Sequence, residues 1–132
     1  MTSEGKIGLC LDSGHCAYAG GDPVAGAEKY RSLLRFVHIK DVDNKILANV
    51  LRQKMNFEQA VEAKVFTIIG KGSVDFPAFF RVLAQNNYSG WLVVEQDVKF
   101  GATAVPPAQS IAASLKYLKT VVSTLEPAEV VS

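Results

Sequence analysis

Phe36-Val37-His38-Ile39-Lys40 decides how this chain is read, together with two runs of the same kind, Gly8-Leu9-Cys10-Leu11-Asp12 and Trp91-Leu92-Val93-Val94-Glu95. Each is short, rich in aliphatic and aromatic residues, and carries at or near its end a side chain able to hold a metal. Successive side chains along a strand point to opposite faces. If Asp12, His38 and Glu95 share a face, then Gly8, Cys10, Phe36, Lys40, Trp91 and Val93 lie on it too. The opposite face is then Ile7, Leu9, Leu11, Val37, Ile39, Leu92 and Val94, which is aliphatic throughout. An aliphatic face belongs under a layer of helices. A mixed face with ionisable residues at the strand ends is what a site at the C-terminal edge of a parallel sheet produces.

The intervening segments supply the helices. The first strand, 7–12, is followed by a glycine-containing loop over 13–21. Asp22-Pro23 then reads as N-cap and first helical position, with Val24, Ala27, Tyr30 and Leu34 as the apolar stripe. The second strand is 35–41. An insertion over 44–67 has helical spacing in two pieces broken near Asn56, at a strand end where site-forming loops commonly sit. Gly70-Lys71-Gly72-Ser73 is a turn, and Asp75-Phe76-Pro77 opens a helix whose core face holds Phe79, Phe80, Val82 and Leu83. After the third strand, 91–97, and a loop, 99–107, a last helix over 108–122 carries Ile111, Leu115, Leu118 and Val122. Strands alternating with helices predict parallel pairing with right-handed crossovers. The expectation is an α/β fold with a three-stranded parallel sheet and helices on its outer face, in one domain over 1–124, with a disordered tail over 125–132.

The composition removes several function classes. The 132 residues carry a net charge of +1, with 48% hydrophobic and 20% charged residues. No basic run or basic–aromatic interleaving points to nucleic acid. No apolar stretch approaches the roughly 18 residues of a membrane span. The polar start, Met1-Thr2-Ser3-Glu4-Gly5, is not signal-like. Cys10 reads as a small buried hydrophobe, and its spacing from Cys16 suits neither a disulfide nor a metal site. The natural compartment is the cytoplasm.

Oxygen, nitrogen and oxygen donors from Asp12, His38 and Glu95 suit Mn²⁺, Co²⁺, Fe²⁺, Mg²⁺ or Zn²⁺. Such an ion polarises a carbonyl and stabilises enediolate-like charge. Glu95 is placed to act as a base on a carbon-bound proton, and Lys40, one inward step beyond His38, to meet a substrate oxygen. Plainer readings stand beside these. Asp12 can cap the turn at Ser13-Gly14, His38 can be a core histidine bonded to backbone, and Glu95 can pair with Lys40 across strands.

The motifs also resemble a known family. Gly8-Leu9-Cys10-Leu11-Asp12-Ser13-Gly14-His15, Val37-His38-Ile39-Lys40-Asp41-Val42, Gly70-Lys71-Gly72-Ser73-Val74-Asp75-Phe76 and Gly90-Trp91-Leu92-Val93-Val94-Glu95-Gln96-Asp97 are similar to segments of the sugar isomerase/epimerase superfamily with the xylose-isomerase-like barrel. The stretch from Phe57 through Val65-Phe66-Thr67 to Phe76 resembles the inosose dehydratases within it. The resemblance implies a partial TIM barrel, the last three βα units. It implies a divalent metal, Mn²⁺ or Co²⁺ first, weakly bound or absent, held by Asp12, His38 and Glu95, and His15 meeting substrate or metal-bound water. The family's other ligand, a glutamate on a preceding strand, has no match, and Lys71 stands where an acidic residue is more usual. The implied activity is dehydration of a keto-inositol, or a related reaction of a small polyol or keto-sugar, with little turnover by this chain alone.

The alternative function is a non-catalytic α/β binding or assembly module. A nucleotide site on Gly70-Lys71-Gly72 lacks P-loop spacing. Two free sheet edges and a bare inner face with Cys10, Phe36, Trp91 and Val93 predict a homo-oligomer, most simply a dimer. The rival arrangement folds the insertion 44–67 over that face.

Overall fold

The computed structural model describes residues 7–98 and 105–125. Strands β1 (Leu9–Asp12), β2 (Leu34–Ile39) and β5 (Trp91–Val94) form one parallel sheet in the order β1-β2-β5. Asp12 pairs with His38, and His38 with Val93. The backbone pairing runs on past β5, with Glu95 N–H donating to Ile39 O at 3.0 Å. Glu95 therefore stands one inward step beyond Val93, level with Lys40.

The aliphatic face lies under the helices at its central positions, but at its margins Ile7 and Leu92 are exposed. Val37 and Ile39 are fully buried, and Leu9, Leu11 and Val94 pack on the same core. Helices α2 (Pro23–Lys29), α5 (Phe76–Gln85) and α6 (Pro107–Ser123) bring Ala27, Phe76, Phe79, Phe80, Leu83, Leu118 and Val121 against it. Asp22 and Asp75 cap α2 and α5, with proline in the first turn of each. Two expected elements differ in extent. Helix α2 stops at Lys29, so Leu34 serves as the first buried residue of β2. The segment after β1 is not a loop but a short helix, α1 (Ser13–Tyr18), nucleated when Asp12 accepts the His15 N–H.

The face of α6 also differs from expectation. Its buried positions are Ser110, Ser114, Leu118 and Val121, while Ile111, Leu115 and Val122 are exposed. The serines let the helix approach closely, and their hydroxyls have fixed partners: Ser114 Oγ accepts from Ile69 N–H at 3.2 Å, and Ser110 Oγ donates to Gln96 at 2.5 Å. Hydrogen bonding, not apolar count, chose the inward face.

The insertion forms α3 (Asn44–Arg52) and α4 (Phe57–Glu62), broken at Asn56, whose side chain makes a reciprocal capping box with Gln59. A two-residue antiparallel ladder joins β3 (Asp41–Val42) to β4 (Phe66–Thr67). Val42, Val50, Ala60, Val65 and Phe66 make a second, smaller core beside α1. The insertion thus rises at the C-terminal end of the sheet and leaves the inner face open. Cys10 is exposed there rather than buried, and Trp91 is 75% exposed. Among the described residues no strand lies on the outer edge of β1 or β5, and no helix is long and apolar enough to cross a membrane. Of the expected tail, Leu125 packs on the core, and 126–132 lie outside the described residues, as do 99–104 of the expected loop.

Candidate metal centre

At the C-terminal strand ends, Asp12, His38 and Glu95 each present a ligand atom within 4.8 Å of the others. His38 Nδ1 faces both carboxylates, 3.2 Å from Glu95 Oε1 and 3.7 Å from Asp12 Oδ2. His38 is therefore not a core histidine tied to backbone. The two carboxylates combine the plain roles with this one. Asp12 Oδ1 caps α1 at 2.7 Å from His15 N, and Glu95 Oε2 pairs with Lys40 Nζ at 2.9 Å. Each still offers its second oxygen to the cluster.

Lys40 is the centre of this arrangement, with a side chain only 1% exposed. Its ammonium lies 2.7 Å from Asp97 Oδ2, 2.9 Å from Glu95 Oε2, 3.4 Å from Asp12 Oδ2 and 3.0 Å from His15 Nε2. It also sits 5.1 Å from the centre of the Phe66 ring. A buried ammonium needs such partners, because desolvation alone would disfavour the charge. Burial works against the charged form here, but hydrogen bonds to Asp97 and Glu95 and the charge of Asp12 outweigh it and raise the Lys40 pKa. A hydrogen bond from Lys40 in turn holds the Glu95 carboxyl below its ordinary value, against the effect of burial, with the charges of Lys40 and His38 adding to it.

The sequence around Lys40 is built to admit it. Gly14 lies against its stem: a β-carbon there would stand 2.5 Å from Lys40 Cγ. Fully buried Ser13 latches the strand end, its hydroxyl donating to Lys40 O at 2.8 Å and accepting from Lys40 N–H at 2.9 Å. The next residue, Asp41, points the other way and is buried. Its carboxylate accepts four backbone N–H groups, from Val42 and Val74 on Oδ1 and from Gly70 and Gly72 on Oδ2, at 2.9–3.1 Å. The glycine turn therefore cradles an internal carboxylate, and a β-carbon on Gly72 would collide with it. Its amides are not free for a nucleotide phosphate.

His15 stacks on Phe57 with ring centres 5.7 Å apart and lies 5.3 Å from Phe66, while Tyr18 meets Phe57 edge-on. The insertion thus supplies an aromatic wall beside the ionisable cluster. All five expected site residues, Asp12, His15, His38, Lys40 and Glu95, converge. The expectation missed Asp97 and this wall. Asp97 had a legible signal, since it shares strand parity with Glu95. The wall had none, because Phe57 and Phe66 enter from a helix start and a two-residue strand.

The donor set fits a divalent cation. Asp12 Oδ2 is a buried oxygen with no hydrogen-bond partner among the described residues, its nearest cation being the Lys40 ammonium at 3.4 Å, and a divalent ion between the three ligand atoms would serve it more closely.

A parallel βα sheet with helices on one face and an Asp–His–Glu cluster at its C-terminal edge is a segment of a TIM-type barrel, and the comparison agrees on the fold. This chain belongs to the xylose isomerase-like TIM barrel family, whose sequence profile matches residues 2–121. It is 40% identical over 97 residues to the inosose dehydratase of Clostridium botulinum (strain Eklund 17B / Type B), covering 74% of this chain and 33% of that protein. It is 40% identical over 119 residues to the inosose dehydratase of Clostridium perfringens (strain 13 / Type A), covering 90% and 39%. The crystal structure of the 3-keto-D-glucoside 4-epimerase YcjR from E. coli superposes with a TM-score of 0.57 at 26% identity, over 86% of this chain and 34% of that one. The chain spans between 33% and 39% of the length of these curated relatives.

Proposed function

We propose that this chain carries the C-terminal part of the metal site of a sugar- or polyol-converting enzyme of the inosose dehydratase type, acting on a keto-inositol. The observation that carries this reading is the convergence of one ligand atom each from Asp12, His38 and Glu95 within 4.8 Å of one another at the strand ends. The named relatives support the substrate class. Asp12, His38 and Glu95 would hold the ion, with Mn²⁺ or Co²⁺ best suited to two carboxylates and one imidazole. When bound, it supplies a Lewis acid for a carbonyl and its neighbouring hydroxyl.

The protein groups divide the remaining work. Glu95 is the group placed to take a proton from carbon. A carboxylate is already ionised at neutral pH, and the hydrogen bond from Lys40 lowers its pKa further, which suits it as a ligand. Lys40 is a fixed cation for a substrate oxygen, because its contacts with Asp97 and Glu95 hold the ammonium charged despite its burial. His15, exposed and braced by Phe57 and Phe66, is the group placed to meet the departing hydroxyl.

Three strands supply only part of a pocket, so turnover by this chain alone is expected to be far below ordinary enzyme rates, since positioning governs rate. The exposed Trp91 and the unpaired edges of β1 and β5 favour a homo-oligomer, most simply a dimer covering the inner face. Two free thiols suit a reducing compartment, the cytoplasm. Isothermal titration with Mn²⁺ tests the site. Binding at up to millimolar metal that Asp12→Asn weakens supports it; identical binding by wild type and variant overturns it.

A further inference from the structure

We infer that Lys40 is a built-in cation that competes with the metal for Asp12 and Glu95, and that Asp97 is the positioning residue that draws it aside. The inference rests on the metal reading above and goes beyond it by assigning roles to Lys40 and Asp97 in metal affinity. Lys40 Nζ lies 2.9 Å from Glu95 Oε2 and 3.4 Å from Asp12 Oδ2, so it already neutralises two of the three groups a metal would use. Its shortest contact, 2.7 Å, is to Asp97 Oδ2, which is no member of the Asp–His–Glu cluster.

Three carboxylates and one ammonium leave a formal charge of −2, the complement of a divalent ion. Because the Lys40 stem is enclosed by Gly14 and its side chain is 1% exposed, it cannot swing out to solvent when a second cation arrives. It can only shift within the cluster, and Asp97 is the partner that remains once Asp12 and Glu95 turn to the metal. His15 Nε2, 3.0 Å away, is a second acceptor on the same side.

The test uses Mn²⁺ alone, with bound and free ion distinguished by electron paramagnetic resonance. Lys40→Met keeps the length and packing of the stem and removes the charge. It should tighten Mn²⁺ binding roughly tenfold or more, as removal of a like charge a few ångströms away demands. Asp97→Asn should weaken binding. In the Lys40→Met background Asp97→Asn should have a clearly smaller effect, because its tethering role is gone. A general field effect of the carboxylate would instead persist unchanged.

Equal affinity in wild type and Lys40→Met, with binding still dependent on His38, overturns the competition and leaves the metal site standing. Absence of His38-dependent binding in both proteins overturns the site and this inference with it. If Lys40→Met does not fold, Lys40→Gln and Asp97→Asn carry the same comparison, and failure of both to change affinity overturns the inference.

Discussion

Replacing Asp41 by alanine should be among the most damaging single changes in this chain, although Asp41 touches no member of the metal cluster. Its carboxylate accepts four backbone N–H groups at 2.9–3.1 Å and is 1% exposed. The Val42 and Val74 donors are buried, while the bonds from Gly70 and Gly72 are only partly so. Water can replace the acceptor for the latter pair. For the buried pair each orphaned donor costs roughly 1–3 kcal/mol, so the expected loss is about 4 kcal/mol. That is a large share of the 5–15 kcal/mol that typically separates folded from unfolded domains. Asp41→Asn should recover less than half, since one amide oxygen remains to accept but the NH₂ faces donors. Urea unfolding followed by circular dichroism measures this as a lower midpoint at unchanged slope. A loss under about 1 kcal/mol would refute the view that this carboxylate, rather than the β3–β4 ladder, fixes the glycine turn.

Gly14→Ala should lower stability by about 1–3 kcal/mol, read by thermal melting, because the added methyl meets the Lys40 stem and neither it nor β2 has room to yield. Stability should also depend on pH on both sides. Glu95, held below its ordinary 4.5, contributes stability present above that value and lost as pH falls through its folded pKa. Lys40, held above its ordinary 10.5, contributes stability present below that value and lost as pH rises through its folded pKa. Glu95→Gln should flatten the acid side of a stability–pH profile. Sedimentation at about 100 μM, a stringent concentration for such interfaces, should show a dimer that Trp91→Lys, at the 75% exposed position, converts to monomer.

The parity of the strands was legible because aliphatic residues fill one face without exception, and it placed Asp12, His38, Lys40 and Glu95 together. The breaks at Asp22-Pro23, Asn56 and Asp75 were legible because each is a side chain that caps a helix. Helix α1 was not, since six residues hold too little periodicity for a cap at Asp12 to be read as opening more than a turn. The β3–β4 ladder is two residues long, too short for alternation to show. The face of α6 was misjudged because serines, counted as polar, point inward to Ile69 and Gln96. Asp41 was hidden by its neighbour: the same motif that gives the site Lys40 gives the scaffold a carboxylate, three of whose four partners, Gly70, Gly72 and Val74, lie in a distant turn.

Asp12, His38 and Glu95 are expected to bind one divalent cation together. The most direct measurement is the visible absorption of Co²⁺ added to the protein, because imidazole and carboxylate ligation alters its spectrum from that of the aqueous ion. New bands are expected at up to millimolar Co²⁺, lost or strongly reduced in His38→Ala. A spectrum indistinguishable from aqueous Co²⁺, or bands that His38→Ala leaves unchanged, would contradict that expectation.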